Sequence, residues 1–299
     1  MAMQTRLNKD GDEVFIFEEY PDIEVRPDVI TPGDVEKLVP AAARFPRLVK
    51  WLMHLFEIDE VNRVHSKYSL TPGPEFVRCL MEDEFKVKLQ VDNIEILDRF
   101  KEGPFITVSN HPFGALDGII LIYLVTRHRP RFRVMVNMIL NKISAMRPNF
   151  IAVDQSASDD PAKRAVSVAG IRKAISMLRE GDPVGFFPAG AMSKTTLHDG
   201  LQDRPWQPSI LQIIHRAKVP VIPIYFHGSN SWWFNFLGHV CWPARSLRLP
   251  AEVFRKCGKE IHVSVGKPIS VDEQKAHGAS PEELGTFLRE RTYELKKLK

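Results

Sequence analysis

FITVSNHPFGALDGIILIYLVT, residues 105–126, opens as a short apolar run and continues as a longer one, with a break between them. Phe105, Ile106, Thr107 and Val108 have the aromatic and β-branched content of a strand. Pro112 and Gly114 suit a turn better than a regular element. Two reactive side chains flank that turn, His111 and Asp117. On an uninterrupted helix, positions six apart point about 240° away from each other. The pair can therefore meet only if the Pro/Gly segment turns the first helical residues back toward the strand end. The carboxylate would then bond one imidazole nitrogen and leave the other as a base. A second reading stands beside it, with His111 a capping or core histidine and Asp117 an acid at a helix N-terminus.

Outward from this stretch, short apolar runs alternate with helical ones. NIEIL, FITVSN, FRVMVN, FIAVD, PVGFFP, VPVIPIYFHG and IHVSVG read as strands by length and residue type. VSVAGIRKAISMLREG predicts a helix with Ile171, Ala174, Ile175 and Leu178 on one face. At the C-terminus, Ser280, Pro281 and Glu283 form a capping box with proline in the first turn. Strands alternating with helices predict an α/β domain, placed at residues 85–299, with a largely buried sheet. Residues 1–84 read as an N-terminal arm and helical extension, with one strand at EVFIF. Within it, residues 41–60 predict an amphipathic helix. Leu48, Trp51, Leu52, Leu55 and Phe56 form its stripe, and Arg47, Lys50, His54 and Glu57 share the other side. That stripe either docks on the main domain or lies in a membrane interface.

At 299 residues, with 44% hydrophobic and 26% charged residues, the chain can bury a full core. A net charge of +4 is too mild to imply nucleic acid but suits an anionic membrane surface. Cys79, Cys241 and Cys257 show no ligand spacing, so neither disulfides nor structural zinc is expected. The N-terminus has no h-region of a signal peptide. The longest apolar run, GALDGIILIYLV, carries Asp117 and is about half the ~20 residues needed to cross a bilayer. These features predict a cytoplasmic chain that does not span a membrane.

Three further blocks follow the first. NFIAVDQ ends a strand on Asp154 and Gln155, and polar residues end most strands. VGFFPAGAMSK runs through Phe187, Pro188, Ala189 and Gly190 to Ser193 and Lys194. Such a loop either offers backbone N–H groups to an oxyanion or is a plain turn. VPVIPIYFHG carries Pro220 and Pro223, which suits a sheet edge or a pocket wall better than a central strand.

In this order the four blocks resemble the motifs of the glycerolipid acyltransferase family, over about residues 85–270. The branch called hemolysin-like, which includes makers of ornithine and glycine lipids, is similar in having five residues between histidine and acid, where most of the family has four. NHPFGALDG, FPAG, DRPWQPSILQIIHRAKVPVIPIYF and RLPAEVF all look like this branch. The resemblance implies a mixed, mostly parallel central sheet flanked by helices. It implies transfer of a fatty acyl group from an acyl thioester, on acyl carrier protein or coenzyme A, to a lyso-lipid, with His111 and Asp117 catalytic. It carries substrate binding to Asn110, Gly114, Asp154, Phe187, Pro188, Gly190, Ser193, Lys194, Pro220 and Pro223. No cofactor beyond that co-substrate and no metal is implied. Two departures matter: Ala189 and Met192 stand where glycerol-phosphate enzymes of the family carry Glu and Arg for the acceptor's phosphate. An acceptor of the lyso-amino-acid-lipid type is therefore expected, with 1-acylglycerol 3-phosphate as the runner-up. A non-catalytic lipid-binding relative is a further alternative. A serine hydrolase is disfavoured because no G-x-S-x-G exists.

The aromatic stretch SNSWWFNFLGHVCWPARSLRLP crowds Trp232, Trp233, Phe234, Phe236, Leu237 and Trp242, followed by Arg245 and Arg248. It suits a membrane interface or a loop covering the core. Peripheral placement on the inner face of the cytoplasmic membrane is the expectation. Oligomeric state is not legible.

Overall fold

The computed structural model describes residues 2–154, 160–196, 200–240 and 242–298. The N-terminal arm holds three strands where one was expected: β1 (Met3–Leu7), β2 (Glu13–Phe17) and β3 (Tyr20–Val25), an antiparallel meander. Every residue of β1 is exposed, so no apolar alternation marked it. After α1 (Pro32–Leu38), the helix expected over 41–60 divides into α2 (Pro46–Leu55) and α3 (Ile58–Tyr68). Glu57, at φ 59°, is in the left-handed region and breaks it. α4 (Pro74–Cys79) follows.

β4 (Lys88–Asp92) takes the edge of the main sheet, a strand the sequence reading missed. NIEIL, read as a strand, instead holds the single turn α5 (Glu95–Asp98). Asn93 adopts φ 58° and turns the chain as β4 ends. Then β5 (Ile106–Ser109), buried at every residue, leads into α6 (Ala115–Thr126). β6 (Arg133–Asn137), β7 (Phe150–Val153), α7 (Pro161–Arg179) and β8 (Val184–Phe186) complete one half of the sheet. A hairpin of β9 (Lys194–Thr196) and β10 (Gly200–Gln202) precedes α8 (Pro208–Ala217) and β11 (Val221–Phe226). The chain closes through α9 (Trp232–Val240), α10 (Trp242–Leu247), α11 (Leu249–Phe254), β12 (Glu260–Val265), α12 (Val271–His277) and α13 (Pro281–Glu294).

The seven-stranded order is β4-β12-β11-β5-β8-β6-β7. Only the β11–β12 pairing is antiparallel, so the sheet is mixed and mostly parallel. β11 lies in its interior, not at an edge, despite Pro223. The Gly266 N–H donates to the Pro223 carbonyl at 2.8 Å, and the reciprocal donor that proline lacks falls just past the last β12 residue. A Cβ on Gly266 would sit 2.7 Å from the Pro223 ring, so glycine makes room for it. One face of the sheet packs on α6 and on Phe17, Val25, Val64 and Phe76 from the N-terminal region. The other packs on α7, α8 and α13.

Candidate active site

His111 follows the C-terminal end of β5, and Asp117 occupies the first turn of α6. Gly114, at φ 77°, makes the turn between them. A side chain there would also strike Met192, whose Sδ would lie 2.6 Å from a Cβ. His111 Nδ1 and Asp117 Oδ2 are 2.9 Å apart. The same oxygen accepts the backbone N–H of Phe113 at 2.8 Å and of Gly114 at 2.9 Å. Asp117 thus does both things the sequence offered: it caps the helix and faces the histidine. Its side chain is wholly buried, and burial pushes its carboxyl up, opposed by His111 and the two N–H groups. With Nδ1 turned to the carboxylate, Nε2 is the ring nitrogen that could accept a proton. The imidazole stacks on Phe187 with centroids 4.2 Å apart.

Other elements hold the His111 backbone. Asn110, itself buried, donates from Nδ2 to the Phe226 carbonyl and accepts the Phe226 N–H through Oδ1, locking the turn to the end of β11. The His111 carbonyl accepts the Ser193 N–H at 2.9 Å. The His111 N–H donates to Asp203 Oδ1 at 3.2 Å, and Ser193 Oγ donates to that oxygen at 2.6 Å. Asp203 is in turn fixed by its N–H donating to Tyr293 Oη at 2.8 Å, and burial pushes its carboxyl up. Arg245 Nη2 donates to the Ser193 carbonyl at 3.0 Å, with its guanidinium over Phe234. Sequence reading placed Arg245 with membrane-facing aromatics; it is 1% exposed and belongs to the site's frame.

Gly190, at φ 65°, lies against Gln207, whose Nε2 would be 2.0 Å from a Cβ there. The Gln207 N–H donates to the Pro188 carbonyl. In the Pro188–Ser193 loop, the Gly190 and Ser193 N–H groups are already engaged, by the Phe187 and His111 carbonyls. Any oxyanion contact from this loop falls to its other N–H groups.

The other expected residues are spread over the fold. Asp154 follows β7, three strands from β5, with its backbone paired to Ser167 Oγ. Gln155 lies outside the described residues. Pro220 precedes β11, at the sheet end opposite His111, and Pro223 is buried in mid-strand. Lys194 begins β9, partly exposed. Conversely, Asp203, Gln207 and Tyr293 were not singled out in the sequence. Only the quoted segment DRPWQ carried a signal for the first two. A cavity of about 790 Å³ is lined by Met81, Leu89, Tyr123 and Arg127, and His111 is not part of its lining. The case for this site rests on its polar geometry.

Over 258 residues the chain is 27% identical to a lyso-glycine lipid O-acyltransferase of Bacteroides thetaiotaomicron, covering 83% of this chain and 89% of that one. A protein of the same name from Phocaeicola vulgatus is 25% identical over 278 residues, covering 88% and 94%. The crystal structure of the 1-acyl-sn-glycerophosphate (LPA) acyltransferase PlsC from Thermotoga maritima is similar in fold. It has a TM-score of 0.50 and 17% identity, and covers 83% of this chain and 87% of that one. A family model described as acyltransferase matches residues 35–298. With that match running from within α1 through the His111 turn, the Ser193 loop and the closing strand, the chain belongs to the acyltransferase family.

Proposed function

We propose that this enzyme moves a fatty acyl group from an acyl thioester, on acyl carrier protein or coenzyme A, to the hydroxyl of a lyso-lipid. The acceptor class is the lyso-amino-acid lipid, as in the names of its two relatives. The observation that carries this is the 2.9 Å approach of His111 Nδ1 to buried Asp117, which leaves Nε2 facing away as a base. Nε2 takes the hydroxyl proton as the oxygen attacks the thioester carbonyl. The tetrahedral intermediate collapses to the ester and expels the thiolate, which recovers the proton from the imidazolium. Asp117 keeps the productive tautomer and stabilises the charged ring. No covalent enzyme intermediate is needed, because a thioester is already activated.

Acceptor choice follows from the third motif. Met192 is 8% exposed and packs against Gly114, so that position supplies an apolar wall where a phosphate would need a cation. Among the described residues no helix is long and apolar enough to cross a membrane. The bilayer is reached instead through α2. Phe45, Leu48, Trp51 and Leu55 around it are each at least half exposed, while Val49 and Met53 face inward. Arg44, Arg47 and Lys50 lie among them, exposed. On α9, Trp232, Trp233 and Phe236 add an exposed cluster of stacked rings.

Incubation with long-chain acyl-carrier protein and acyl-coenzyme A, against lyso-glycine lipid, lyso-ornithine lipid and 1-acylglycerol 3-phosphate, tests the reading. Diacylated amino-acid lipid is the expected product. Preference for the phosphate would restore a phosphatidate-forming activity, and free fatty acid without transfer would mean hydrolysis.

A further inference from the structure

At the β4 edge of the sheet, three strands bring nitrogen and oxygen donors together outside the catalytic turn. Asp92 ends β4 opposite Ser264 of β12, and His227 follows β11 with its N–H donating to the His262 carbonyl at 3.0 Å. Ile261, Val263 and Val265 face the α6 side. Strand alternation therefore turns His262 and Ser264 to the α13 side, where Tyr225 meets both His227 and Tyr293. His262 Nε2 is 2.6 Å from Asp92 Oδ2, and Ser264 Oγ donates to the same oxygen at 2.6 Å. His227 Nε2 is 2.8 Å from Ser264 Oγ, and the two imidazoles stack 4.0 Å apart at 10°.

We propose that Asp92, His227 and His262 bind one divalent transition-metal ion of the zinc, cobalt or nickel type, with Ser264 Oγ or a water as a further ligand. Two imidazoles and one carboxylate are the donor set those ions favour. The donor atoms of the three residues lie within 4.8 Å of one another. Donors around a tetrahedral ion stand about 3.3 Å apart at ordinary bond lengths, so small side-chain rotations complete the site. All three residues are partly exposed, so an ion reaches them without unfolding the sheet.

The ion would tie the edge strand β4 through β12 to β11. That strand ends at Phe226, which holds Asn110 and thereby the catalytic turn. Its role is structural support of the site, with no part in the chemistry at His111.

The test uses the untagged full chain, stripped with chelator and titrated with Co²⁺ while visible d–d absorption and melting temperature are followed. One ion per chain and a raised melting temperature are expected. His262→Phe keeps the ring stack and removes a ligand; Asp92→Asn keeps the hydrogen-bond acceptor and removes the charge. Each should weaken Co²⁺ binding at least about tenfold. His128→Gln, at the surface pair with Asp98, should leave it unchanged. If wild type binds no Co²⁺, or binds it no more tightly than both variants, the cluster is only a hydrogen-bonded clasp on β4. Should His262→Phe fail to fold, Asp92→Asn decides alone.

Discussion

At the scale of single residues, His111 and Asp203 separate chemistry from positioning. His111→Ala removes the proposed base but little packing, since the ring has one stacking contact and the 2.9 Å approach of Nδ1 to Asp117. Activity should fall about 10²–10⁴-fold with the melting temperature nearly unchanged. Near wild-type turnover would remove His111 from the mechanism. Asp117→Asn should cost less, because an amide oxygen can still accept the Phe113 and Gly114 N–H groups. Asp203 touches the histidine only through its backbone, and it also holds Ser193. Asp203→Ala frees both and should lower kcat, by roughly a hundredfold if His111 shifts by about 1 Å, with KM little changed. Asp203→Asn keeps an acceptor oxygen and should recover most of that loss. If Asp203→Ala merely lowers stability, with kcat per folded molecule intact, the residue does not register the base.

At the scale of elements, α2 is the surface proposed to bring the enzyme to its substrate. Because Trp51 and Leu55 are exposed, Trp51→Glu with Leu55→Glu should leave the fold intact. Each basic residue near an anionic surface is worth about 1 kcal/mol, so Arg44, Arg47 and Lys50 together could raise binding by roughly a hundredfold at low salt. The apolar stripe adds a part that resists salt. Co-sedimentation with anionic vesicles should therefore weaken but persist as salt rises. The double variant should release the chain and lose activity on vesicle-borne acceptor, while sparing acceptor in detergent. Unchanged co-sedimentation of a folded double variant would move the docking surface elsewhere, with the α9 cluster next in line.

At the scale of the whole molecule, His65 joins segments far apart in sequence. Its Nδ1 is 2.8 Å from the Pro27 carbonyl and its Nε2 accepts the Ala145 N–H at 3.2 Å, which requires the neutral ring. The side chain is buried, and that burial holds it below the ordinary histidine value. A histidine depressed in the folded state contributes stability that is fully present above about pH 6.5 and is lost as pH falls through the folded value. His227, depressed to about 4, acts in the same direction from about pH 6.5 downward. Asp34, held below the carboxylate range against the effect of burial by Arg26, the Thr31 N–H and Lys142, contributes stability that is present above about pH 4 and lost only as pH falls below it. The melting temperature should thus drop between pH 7 and pH 5, and His65→Gln should flatten that drop. An equally steep drop in a folded His65→Gln variant would assign it to other groups.

What the sequence determined by itself is local. The strand, the Pro/Gly turn and the acid in the first turn of α6 lie within a few residues, so their meeting needs little beyond backbone preference. The helix opened by a capping box, α13, was readable for the same reason. Tertiary structure decided whatever depends on partners distant in the chain. β4 exists because β12, some 170 residues later, pairs with it, and Pro223 is tolerated inside the sheet because the β12 ladder lapses beside it. Asp203 carries no motif and Arg245 sits in sequence among the aromatics, and only the fold buries both beside Ser193. Asp92, His227 and His262 carry no motif spacing, because three strands rather than one segment assemble them. Even the facing of α2 was undecided by its periodicity. An apolar stripe states that a helix has two sides, and only the placement of Val49 and Met53 against neighbours shows which side met protein.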